Sequence, residues 1–88
     1  MSVPQVNPLL PLPGDRVDDG IVIASTWMDD DPVNGHPTAL LMVLQPEPPY
    51  YGIFEITGIG GTWEFRLLEE HPNINPATEA YSENGGDY

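Results

Sequence analysis

Within Thr62 to Glu70, apolar and polar residues alternate as far as Leu67, with Trp63, Phe65 and Leu67 separated by Glu64 and Arg66. A period of two predicts a strand with the three apolar residues inward and Glu64 and Arg66 outward. Tyr50 to Thr57 has the same period, with Tyr50, Phe54 and Ile56 on one face and Tyr51, Ile53 and Glu55 on the other. Arg16 to Met28 places Val17, Ile21, Ile23 and Trp27 together and Val22 and Ala24 opposite them, with Asp18-Asp19-Gly20 bending its start. Thr38 to Gln45 differs, because Ala39 to Leu44 is apolar without a break. Pro37 and Pro46 confine that run to strand length, which predicts a central strand covered on both faces.

The connections are short and rich in turn formers. Asp29 to Pro37 reads as a loop containing the Asn34-Gly35 pair, and Pro46 to Pro49 as a rigid connector. Gly58-Ile59-Gly60-Gly61 reads as a tight hairpin turn. Beyond the break at His71 to Ile74, Asn75 is the expected helix N-cap and Pro76 the first helical residue. Glu79 would fall in the first turn, and Gly85 would end a helix of about two turns. Residues 1–14 contain repeated prolines and form an extended, polyproline-like arm, closed by the Gly14-Asp15 turn. The expected organisation is an arm at 1–14, one β-rich domain at 15–84 and a short tail at 85–88. The expected fold is mainly β (α+β): a four-stranded antiparallel meander curled into a small SH3-like barrel or half-barrel, with the C-terminal helix as a cap. A flatter sheet crossed by one helix is the alternative.

Size and charge narrow the function. The chain has 88 residues and no cysteine, so disulfides and Cys-based zinc sites are excluded. A domain of this size buries roughly 60% of its unfolded surface, and a partner subunit would add to its stability. Fourteen acidic residues stand against Arg16 and Arg66, giving a net charge of −12. That charge repels nucleic acid and anionic membranes and favours a basic partner; it also keeps a small protein soluble. The N-terminal stretch lacks the basic-then-apolar order of a secretory signal, and the longest apolar run is too short to span a bilayer. A cytoplasmic protein is expected.

The sequence holds no recognisable catalytic constellation and predicts no enzyme and no cofactor. There is no Cys or Lys, and the histidines and serines lack a triad or nucleophile-elbow context. Neighbouring carboxylates on a strand point to opposite faces. Asp29, Asp31, Asn34 and His36 share a loop but match no calcium or zinc pattern, so a polar loop with Asx-type hydrogen bonds is expected. The glycines at 58–61 lack the Lys and following helix of a phosphate loop. Pro8-Leu9-Leu10-Pro11 and Pro48-Pro49-Tyr50-Tyr51 fit short proline-ligand patterns that are unspecific in a chain so rich in proline. Trp27, Tyr50, Tyr51, Trp63 and Tyr81 would need a basic groove to stack on single strands, and core packing accounts better for Phe54, Trp63 and Phe65. The candidate partner-binding residues are Leu9, Leu10 and Leu12 of the arm, the acidic loop Asp29, Asp30 and Asp31, and an exposed patch of Tyr51 and Ile53 beside Glu55.

The C-terminal stretch His71-Pro72-Asn73-Ile74-Asn75-Pro76-Ala77-Thr78-Glu79-Ala80-Tyr81, with Asn84-Gly85-Gly86-Asp87-Tyr88, resembles the ends of small acidic proteins encoded by phages of actinobacteria. The resemblance carries no assigned activity and no site residue. It implies an accessory protein in the bacterial host cytoplasm that modifies a host process or blocks a defence. The expected function is non-enzymatic binding of a host or phage protein, basic or with an apolar groove, through the sheet surface and the arm. A DNA mimic that inhibits a DNA-binding protein is the first alternative, since carboxylates on one face can imitate phosphates. A virion decoration or tail-interface protein is the second. All three allow a homodimer, because the sheet has open edges.

Overall fold

In a computed structural model, the structure describes residues 9–17, 20–46 and 48–86. Residues 1–8 of the arm, Asp18-Asp19, Glu47 and the last two positions lie outside the described residues. The chain is mainly β: five antiparallel strands in sequence order form a curled half-barrel, with one C-terminal helix. The elements are β1 (Arg16–Val17), β2 (Gly20–Met28), β3 (Thr38–Pro46), β4 (Pro49–Ile59), β5 (Thr62–His71) and α1 (Ile74–Glu83).

The meander agrees with the sequence pattern, with one strand more than expected. The segment Arg16 to Met28 is not a single strand. It reverses on itself so that Arg16 pairs with Ile21 and Val17 with Gly20. The turn before it is a Pro-Gly turn. Gly14 takes φ 97°, the Asp15 N–H donates to the Leu12 carbonyl at 2.9 Å, and the Asp15 carboxylate accepts from the Leu12 N–H. Pro at the second position and a positive-φ Gly at the third are the requirements of a type II turn.

The faces of β2 differ from the simple alternation expected of it. Its register against β3 shifts between Val22 and Ala24, so Ile23 is an extra, bulged residue. A bulge reverses the alternation of side chains beyond it. Ile21 and Trp27, expected on one face, therefore lie on opposite faces, as do Val22 and Ala24.

Strand β3 is the spine of the sheet, buried from Thr38 to Val43. Its two faces feed two separate apolar clusters. On one, Leu40 and Met42 join Ala24, Ile53, Ala77, Ala80 and Tyr81 under the helix. On the other, Ala39, Leu41 and Val43 join Val22 and Ile56, with Leu10, Val17, Phe54 and Trp63 packed around them. We call these the helix face and the open face. The β4–β5 hairpin turns through Gly60 and Gly61, at φ 63° and 85°. Two positive φ values in a two-residue loop are what a type I′ turn demands.

The helix begins earlier than the sequence pattern suggests. Its N-cap is Asn73, not Asn75. Pro76 sits in the first turn, where its missing N–H costs nothing, and Glu79 falls in the second turn. Ala77, Ala80 and Tyr81 form its buried stripe. The helix ends as expected at Gly85, φ 106°. The Gly86 N–H donates to the Tyr81 carbonyl at 2.8 Å and the Gly85 N–H to that of Ser82 at 3.1 Å, the paired bonds of a Schellman motif. Asn84 then ties the helix end to β5 by donating from Nδ2 to Glu69 Oε2 at 2.9 Å.

Candidate functional site

One helix covers one face of the sheet. Among the described residues the open face receives only the arm, and several of its apolar side chains remain at the surface. Trp27, Phe65 and Leu67 are 49%, 48% and 46% exposed. Register places Phe65 beside Ile56 and Leu67 beside Phe54, all on the open face. The Phe65 ring meets Phe54 edge-on, centroids 6.0 Å apart. Trp27 of β2 reaches Trp63 of β5 at 5.8 Å. Val17, Val43, Gln45, Phe54 and Phe65 line a cleft of about 310 Å³ in this surface. The Phe54 ring packs against Gly52, where a Cβ would stand 2.7 Å from Phe54 Cε2.

The arm borders this surface. Trp63 Nε1 donates to the Leu9 carbonyl at 2.9 Å, and Leu10 packs into the open-face cluster. Leu9 and Leu12 project outward, 91% and 58% exposed. Of the arm leucines named from sequence, two thus stand exposed and one anchors the chain beside the open face.

The patch of Tyr51 and Ile53 is corrected. Both lie on the helix face, where Ile53 has no exposed surface and Tyr51 packs against the buried cluster. Glu55 is on that side too, with Arg66 Nη2 3.3 Å from its Oε1. Phe65 and Leu67, expected inward, share the expected face but stand at the surface. Their alternation was legible; the absence of a second covering element over them was not.

The acidic loop is held by its own polar groups. Asp31 Oδ1 accepts from the Val33 N–H at 2.9 Å, and Oδ2 accepts from Asn34 Nδ2 at 3.3 Å. The Val33 N–H, aided by Asn34, holds the Asp31 carboxyl below the usual carboxylate range. A lowered folded pKa gives support that is complete at neutral pH and lost only as pH falls through the lowered value. Asp29 and Asp30 are exposed in the same loop. Among the described residues, no group of three or more His, Asp or Glu side chains is arranged to hold a metal ion.

Charge is distributed unevenly between the faces. Register puts Glu55, Glu64 and Glu69 on the helix face, and Glu79 and Glu83 are exposed on the helix itself. On β5 only Glu70, paired with Gly52, points to the open side. The site is therefore an aromatic and aliphatic surface on one side of a strongly acidic body. No protein-family model matches the chain, and no curated protein or solved structure is significantly similar to it. Among the described residues, no helix is long and apolar enough to cross a membrane.

Proposed function

We propose that this protein is a non-enzymatic accessory module, of the kind carried by actinobacterial phages, that binds and modulates a host or phage protein in the bacterial cytoplasm. It binds through the open face of the sheet and the adjoining arm. One observation carries the reading. Trp27, Phe65 and Leu67 stay about half exposed on one face of the sheet, and Phe65 lines a cleft there, in a chain whose net charge is −12. Contiguous apolar surface of this kind, rimmed by charge, marks an interaction site, and aromatic residues dominate the centres of such interfaces.

A second reading has its own support. The carboxylates at Glu55, Glu64, Glu69, Glu79 and Glu83 collect on the helix side, as a DNA mimic requires. Salt separates the two readings. Tagged protein is incubated with actinobacterial lysate and washed at low and at high salt. A partner held by the apolar face stays bound in both washes. A basic partner that leaves at high salt and is displaced by duplex DNA overturns the first reading in favour of the second, and an empty eluate in both washes overturns both.

A further inference from the structure

We propose that the outer edge of β5 accepts an extended segment of the partner as a sixth strand, and that this segment alternates apolar with polar side chains, one of them basic. The proposal rests on the open face being the partner surface and specifies how a partner reaches it.

β5 is the last strand of the sheet and runs from Thr62 to His71. Its backbone pairs with β4, and among the described residues no loop or arm backbone bonds to its other side. In an antiparallel sheet, alternate residues of such an edge present N–H and C=O groups outward, ready to pair with another strand. The opposite edge is treated differently. There Val22 is already bonded to Gly14 and Asp15, and β1 is only two residues long. β5 carries no Pro, and its bulge at Leu68 and the neighbouring Glu69 and Glu70 lie beyond the stretch from Thr62 to Leu67. The register of β4 against β5 shifts only past Phe54, so the stretch from Thr62 to Leu67 is regular.

Side chains on that stretch specify the partner. A sixth strand would lay alternate side chains beside Phe65 and Leu67 on the open face, where apolar groups would complete the surface. Its other side chains would fall on the helix face, where a basic group beside Glu64 would find opposite charge. Beside Arg66, already engaged by Glu55 at 3.3 Å, an uncharged residue fits. A second copy of this chain suits the edge poorly. It would bring a further charge of −12, with its own Glu64, Glu69 and Glu70 against the same carboxylates.

The probe is a synthetic peptide with valine at every second position and lysine and serine taking turns between them, added to the full-length protein labelled for amide exchange. Slowed exchange is expected at alternate β5 amides. N-methylation of alternate peptide residues removes the donors facing β5 and is expected to weaken binding about ten-fold or more, the equivalent of one lost interaction of ordinary strength. Leu67→Lys places a blocking charge on the edge at a half-exposed position and is expected to weaken binding by a similar factor. Ser82→Lys, the same charge change on the exposed side of the helix, is expected to leave binding within about two-fold. Circular dichroism verifies that both variants fold.

Equal binding of the N-methylated peptide, with Leu67→Lys still harmful, overturns strand addition while leaving the open face as the partner surface. Equal weakening by both lysine variants reduces the binding to net charge and overturns the proposal. Protected β5 amides without peptide, together with a dimer mass by light scattering, would assign the edge to a second copy instead.

Discussion

Tyr81→Ala unfolds the domain at ordinary temperature. The Tyr81 ring is fully buried between the sheet and the chain end, so close to Gly86 that a Cβ there would fall 2.2 Å from Cε1. Its hydroxyl lies 2.5 Å from Thr26 Oγ1, joining the helix to β2. Truncating a buried aromatic costs about 3–5 kcal/mol. Domains have about 5–15 kcal/mol in all, and one this small lies near the low end. Tyr81→Phe keeps the ring and is expected to lose only about 1 kcal/mol. Urea unfolding followed by circular dichroism gives both values. A Tyr81→Ala protein within about 1 kcal/mol of wild type would mean that the helix does not close the core.

The second large effect falls on binding. Phe65→Ser combined with Leu67→Ser removes the apolar centre of the open face, and partner affinity is expected to drop by about a hundred-fold or more, the scale of truncated interface anchors. Both side chains are half exposed, so stability changes little by comparison: the lost edge contact of Phe65 with Phe54 and the partial burial cost about 1–2 kcal/mol. Glu79→Gln with Glu83→Gln supplies the contrast. It removes two carboxylates from the opposite side and is expected to leave the affinity within about two-fold. Binding titrations of both double variants against the captured partner read the difference. The reverse order of effects would move the interface to the helix side.

Much of the fold is legible in the residues. The unbroken run from Ala39 to Leu44 between two prolines specifies the central strand, because no helix of useful length fits there. Gly60-Gly61 specifies the hairpin and Gly85 the helix end, because each needs positive φ. The bulge at Ile23 is not legible. A single extra residue leaves no mark in an apolar-rich strand, yet it exchanges the faces of everything beyond it. The side chosen by the helix is equally hidden. Both faces of β4 are apolar, Tyr51 and Ile53 on one and Phe54 and Ile56 on the other. The choice is made by three-dimensional fit, with Ala77 and Ala80 allowing close approach to Ala24, Leu40, Met42 and Ile53. Once the helix settles there, Ile53 is lost as a contact residue, and Phe65 and Leu67 become the surface. The arm is tied to the sheet through the Leu9 carbonyl, which accepts from Trp63, and through Leu10, which packs into the open-face cluster.

The open face carries its own reporters, since the chain has two tryptophans and Trp27 and Trp63 meet on that face. The most direct measurement is therefore the fluorine spectrum of protein labelled with 5-fluorotryptophan, recorded free and saturated with the captured partner. Coverage of the open face predicts that the Trp27 resonance, half exposed in the free protein, shifts and loses its sensitivity to solvent, and that the neighbouring Trp63 resonance moves with it. A fully formed complex in which both resonances stay where they were would contradict the assignment of this face as the binding surface.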